Sequence, residues 1–110
     1  MVELRGYIDE KGNKPFAQWF EGLDAVAAAK VTIALARMEL GNFSKVKGVG
    51  SGVLECKINF GPGYRIYFGK DGDHLVILIG GGTKKRQQRE ITAAQECWAA
   101  YKRRKKQEIQ

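Results

Sequence analysis

Residues 52–70 constrain the fold of this chain more than any other stretch, because two runs of period-two alternation flank a single turn. In an extended backbone successive side chains point to opposite faces. Leu54, Cys56, Ile58 and Phe60 therefore share one face, and Glu55, Lys57 and Asn59 share the other. After Gly61-Pro62-Gly63 the alternation resumes, with Tyr64, Ile66 and Phe68 set against Arg65 and Tyr67. The pattern predicts a hairpin whose apolar sets join one core. It also predicts that Glu55, Lys57, Arg65 and Tyr67 share the opposite, polar face of the sheet, where a phosphate can be held and a proton moved.

The flanking segments supply the layers that cover such a hairpin. Residues 2–8 read as a strand, Asp9 to Asn13 as a turn, and Pro15 as the first residue of a helix that puts Phe16, Trp19, Phe20 and Leu23 on one face. Asp24 is an N-cap for a longer helix that reaches about Leu40 and stops at Gly41; Ala27, Val31, Ala34, Leu35 and Met38 form its apolar stripe. Residues 42–51 read as a loop carrying Lys45 and Lys47. Asp71-Gly72 marks a tight turn. The run from His74 to Ile79 is nearly all apolar, as expected of an inner strand covered on both faces, and Gly80-Gly81-Gly82 is expected to end it. A third helix follows, with Ile91, Ala94, Trp98 and Tyr101 at helical spacing, and residues 103–110 form a basic, fraying tail. The expected fold is a single α+β domain over 1–110 in the order β-α-α-β-β-β-α. Its sheet is mostly antiparallel, packed by two N-terminal helices and a C-terminal helix.

At 110 residues the chain holds one modest core. No apolar run approaches the roughly 20 residues of a membrane span, and the N-terminus lacks a signal-peptide pattern, so no membrane association is expected. Cys56 and Cys97 lack the spacing of a zinc site or a disulfide framework and read as buried thiols of a reducing cytoplasm. The net charge of +7 is uneven: residues 1–60 carry 8 Lys/Arg against 7 Asp/Glu, and residues 61–110 carry 11 against 5. Such a basic excess suits a polyanion-binding surface.

Taken together, several pieces carry a resemblance: Phe16-x-x-Trp19, Leu40-Gly-Asn42, Lys47-Gly-Val-Gly50, Gly52-Val-Leu-Glu55, Gly61-Pro-Gly-Tyr-Arg-Ile-Tyr-Phe68, Gly81-Gly-Thr-Lys84 with Gln87, and Trp98 with Tyr101. In this order they resemble the RelE/HigB superfamily of bacterial and phage toxins, in the branch of addiction-module killer proteins. Lys57 stands where relatives often carry arginine; it keeps the charge without the bidentate fork. The resemblance implies a small RelE-like fold. It also implies a metal-independent endoribonuclease that cuts mRNA on the translating ribosome, and a cognate helix-turn-helix antitoxin that blocks the basic face. The superfamily includes ParE, which poisons DNA gyrase without cutting RNA, so membership alone does not decide the activity.

Cleaving RNA through its own 2′-hydroxyl requires removing a proton, stabilising the phosphorane charge and protonating the 5′-oxygen. His74 is the lone histidine and sits beside a turn, and no tight carboxylate cluster suggests a metal pair. No cofactor is called for. The candidates are Arg65 as phosphate clamp, Lys57 or Tyr67 as proton acceptor with a pKa lowered by clustered cations, and Lys84 at the leaving oxygen. Tyr67 is alternatively a base-stacking residue. Lys45, Lys47, Lys85, Arg86 and Arg89 are expected to hold RNA or ribosome phosphates. Other readings use the same residues: a solvent-facing sheet with Glu55 paired to Lys57 or Arg65, a non-enzymatic gyrase toxin, or a non-catalytic RNA-binding module.

Overall fold

A computed structural model describes residues 1–109. Its elements run β1 (Glu3–Gly6), α1 (Pro15–Glu21), α2 (Ala25–Glu39), β2 (Val46–Gly48), β3 (Leu54–Ile58), β4 (Tyr64–Lys70), β5 (Leu75–Thr83), a 3-10 turn (Lys84–Arg86) and α3 (Gln87–Ile109). The five strands form one sheet in the order β1-β5-β4-β3-β2, antiparallel except where β1 pairs with β5. The chain is therefore α+β, with α1 and α2 against one face of the sheet and α3 against the other.

Local signals explain most boundaries. Pro15 opens α1, and the Asp24 carboxylate accepts from the Ala27 N–H at 2.8 Å to cap α2. Ala27, Val31, Ala34 and Met38 are buried, as the stripe predicts. They meet Cys56, Ile66, Phe68, Val76 and Leu78 in the first core. Ile91, Ala94 and Trp98 of α3 meet Tyr67, Ile77 and Ile79 in the second. β5 is thus covered on both faces, as its apolar run implies.

Three expectations need correction. Residues 42–51 are not all loop, because Val46–Gly48 pairs with β3; three residues among glycines carry little local signal, and the free edge of β3 supplies the partner. The three glycines do not end β5, which runs on to Thr83. At two of them helices press close: a Cβ on Gly81 would stand 2.3 Å from the Trp19 ring, and one on Gly82 would stand 2.7 Å from Glu90 Cγ, whereas a Cβ on Gly80 would meet nothing within 4 Å. On β4, Gly69 likewise admits Trp98, whose ring would lie 2.6 Å from a Cβ. Finally, the basic tail does not fray, since α3 continues to Ile109. Tyr101 donates to Asp71 at 2.6 Å, Lys105 pairs with the same carboxylate, and Arg104 donates to the Ile8 carbonyl at 2.9 Å. Gln110 lies outside the described residues.

Candidate functional site

Strand register brings the candidate residues together. Lys57 lies opposite Arg65 and Glu55 opposite Tyr67 on the β3–β4 hairpin, while Arg65 and Tyr67 face Gly82 and Gly80 of β5. The shared face expected from alternation is present. It is not open. Because Gly82 lets Glu90 approach, the first turns of α3 cover it, leaving Glu55 at 1% exposure, Arg65 at 5% and Tyr67 at 1%.

Beneath α3 the three buried residues form a polar cluster. Arg65 Nε lies 3.6 Å from Glu55 Oε1, and the exposed Lys47 ammonium approaches the same oxygen at 3.8 Å. Gln87, the first residue of α3, donates to Glu55 Oε2 at 2.9 Å. Of the pairings expected for Glu55, the one with Arg65 forms. Among the described residues Glu55 Oε1, Arg65 Nε and the Tyr67 hydroxyl have no hydrogen-bond partner, so the cluster is held by charge more than by complete hydrogen bonding. Burial, and after it the Glu55 carboxylate, push the Tyr67 phenol well above its ordinary value. This reverses the expected lowering: desolvation and a nearby anion outweigh the Arg65 cation. A neutral, enclosed phenol neither accepts a proton at neutral pH nor stacks on a base. Arg65 is also not a free phosphate clamp, since its guanidinium is engaged internally.

The cluster reaches the surface through Gly63. Its carbonyl accepts from Arg65 Nη1 at 3.1 Å and from the Lys84 N–H at 3.1 Å, tying the hairpin turn to the start of the 3-10 turn. Gly63 has φ of 80°, and a Cβ there would meet Arg65 Nη1 at 3.5 Å and Lys84 Cβ at 3.9 Å. Arg65 and Lys84 thus converge on one backbone position, with Lys57 across the strand from Arg65. Lys57, Lys84, Lys85, Arg86 and Arg89 are all exposed; this cationic rim comprises Lys57, across the strand from Arg65, and four residues of the 3-10 turn and the first turn of α3. Lys45 lines a groove beside α2, which Lys57 also borders. His74 is exposed before β5, outside this arrangement. Cys56 is buried, whereas Cys97 is half-buried rather than enclosed, and neither forms a disulfide. Among the described residues no three His, Cys, Asp or Glu side chains come together as metal ligands.

No protein-family model matches the chain. An uncharacterized protein of Haemophilus influenzae is 36% identical over 88 residues, which span 79% of this chain and 89% of that protein. The chain belongs to the family of that Haemophilus protein. The likeness covers most of both chains, so members of this family share the domain rather than a short motif.

Two contributions to the site escape a reading of alternation and charge. Gln87 anchors the buried carboxylate from 32 residues away, and its only local sign is a neutral polar side chain at a helix start. The Gly63 carbonyl is a backbone group whose role depends on the turn around it. No helix of the described residues is long and apolar enough to cross a membrane.

Proposed function

We propose that this chain is the RelE-like toxin of a toxin–antitoxin pair, acting in the cytoplasm as a metal-independent endoribonuclease on mRNA at the ribosome. The observation that carries this reading is the convergence of Arg65 and Lys84 on Gly63, at the edge of a cationic rim with Lys57 across the strand. In the proposed reaction Lys57, in its neutral form, takes the proton of the 2′-hydroxyl. The 2′-oxygen bonds to the adjacent phosphorus, and the bond from phosphorus to the 5′-oxygen breaks. Lys84 stabilises the equatorial charge and returns a proton to the leaving oxygen. The products are a 2′,3′-cyclic phosphate and a 5′-hydroxyl, with no co-reactant consumed. Arg65 is a positioning residue that holds the Gly63 carbonyl and neutralises Glu55. Lys85, Arg86 and Arg89 hold flanking phosphates. The helix-turn-helix antitoxin would mask the same rim.

A second reading is a non-enzymatic, ParE-like inhibitor of DNA gyrase. Its support is the burial of Arg65 and Tyr67 together with the raised phenol pKa, which reduces the exposed reactive groups to lysines. Mapping 5′ ends of cellular mRNA after expression, alongside a supercoiling assay, separates the two. Loss of cleavage on the order of a hundredfold or more in Lys57→Ala and in Lys84→Ala, with Tyr67→Phe still active, is the expected result. Growth arrest with intact mRNA and inhibited supercoiling would sink the nuclease reading.

A further inference from the structure

On the opposite side of β3 from α3, a groove of about 550 Å³ opens between α2 and the β2–β3 edge. Lys30 and Arg37 of α2 and Lys45 of the loop before β2 line it, and Lys57 of β3 borders it at the strand edge although its side chain stands on the α3 side; among the described residues no carboxylate lines it. None of these four cations forms an ion pair among the described residues. All four are exposed, so their charge is available to a ligand. The field of Arg37 and Lys45 reaches the Cys56 thiol in the groove wall, opposing the upward push of burial. At one end Phe60 stacks on Tyr64 with ring centroids 6.5 Å apart and planes 20° apart. Lys30 Nζ sits 5.2 Å from the Phe60 centroid. Both aromatic rings are only half-buried.

Cations drawn from three elements and ending at a half-exposed aromatic pair match the chemistry of a strand of phosphates with an unpaired base. We infer that this groove is a second nucleic-acid site, taking the backbone of a single-stranded RNA with a base against Phe60 and Tyr64. Lys57 belongs both to the groove lining and to the rim of the first site, so a strand can pass from one to the other around the hairpin end. The groove is argued from its own residues; only the choice of RNA over DNA rests on the function proposed above.

The test uses the full chain and fluorescent 12-nucleotide oligo(U) and oligo(dT), with anisotropy followed across a salt series. The Lys30→Ala/Arg37→Ala pair, at exposed positions, is expected to keep its unfolding temperature. It should bind oligo(U) roughly tenfold more weakly, with a log–log salt slope shallower by about 1.4 for two lost contacts. Phe60→Ala should weaken binding by about fivefold or more with an unchanged slope. Unchanged affinity and slope in the Lys30→Ala/Arg37→Ala protein would overturn the inference, as would absence of oligonucleotide binding by the unmodified chain. Preference for oligo(dT) overturns the choice of RNA. An acidic protein segment as the true occupant, seated along the exposed Val26, Ile33 and Leu40 of α2, would also appear as unchanged RNA affinity. Weakened binding in a chain that cuts no mRNA would uphold the groove while the nuclease proposal fails.

Discussion

Against α1 and α2 the sheet presents Cys56, Ile66, Phe68, Val76 and Leu78, an apolar layer with no charge in it. Against α3 it presents Tyr67, Ile77 and Ile79, and beside them the buried Glu55 and Arg65. The first face asks of each residue only that it be apolar and fit, and each such side chain contributes about 1.5–3 kcal/mol by leaving water. The second face holds two charges that tolerate burial because each is near the other, Lys47 and Gln87 approach Glu55, and the Gly63 carbonyl accepts from Arg65. One face is additive and forgiving of apolar exchange; the other behaves as a unit.

The largest expected effect tests that difference directly. Arg65→Ala leaves the buried Glu55 carboxylate with only the exposed Lys47 ammonium and the Gln87 amide beside it, and should cost about 3–5 kcal/mol in urea unfolding. Phe68→Ala, on the apolar face, should cost a similar 3–5 kcal/mol through its cavity. The two differ in how they are rescued. Replacing Glu55 and Arg65 together by Leu and Met should restore most of the stability, whereas an apolar change at a neighbour of Phe68 fills the cavity only in part. A cost below about 1 kcal/mol for Arg65→Ala would mean that the pair is not load-sharing with the fold.

Next in size are the two contacts that seat the helices. Gly81→Ala drives a Cβ into Trp19 on the α1 side, and Gly69→Ala drives one into Trp98 on the α3 side. Each should cost roughly 1–3 kcal/mol by overpacking. Thermal unfolding of both proteins shows whether the two faces are equally intolerant of added volume.

A smaller effect concerns the end of α3. The Lys105 ammonium, then the Tyr101 hydroxyl, hold the Asp71 carboxyl below its usual range. A depressed folded-state pKa contributes stability above the unfolded value, near pH 4, and loses it as pH falls through the folded value. Amide exchange in residues 101–109 should therefore accelerate relative to the rest of α3 below about pH 4. In Asp71→Asn that acid-induced acceleration should vanish, and persistence of the full pH response would remove Asp71 as its source. The smallest stability change is expected for Lys84→Ala, within about 0.5 kcal/mol because the side chain is exposed. A larger loss would move Lys84 from the rim into the structural cluster.

The apolar face of the hairpin, the cap at Asp24, the stop at Gly41 and the apolar stripes of α2 and α3 were legible in residue order, because each depends on neighbours a few positions away. The same holds for Lys57, Arg65 and Tyr67 sharing a side, which period-two geometry imposes on any regular strand. Whether that side met water depended on where α3 came to rest. That was decided by Gly69 and Gly82 leaving room for Trp98 and Glu90, and by Gln87 finding Glu55. Glycine in a strand reads locally as a stop or a weak point. Here its missing Cβ is what lets a distant helix approach, and only the packed structure contains that information. Burial then changed the chemistry of the face: Tyr67 became an enclosed phenol and Arg65 a partner of Glu55 and Gly63, while Lys57 and Lys84 stayed exposed. Sequence alone determined which residues stand side by side; desolvation by a remote helix decided which of them remain exposed.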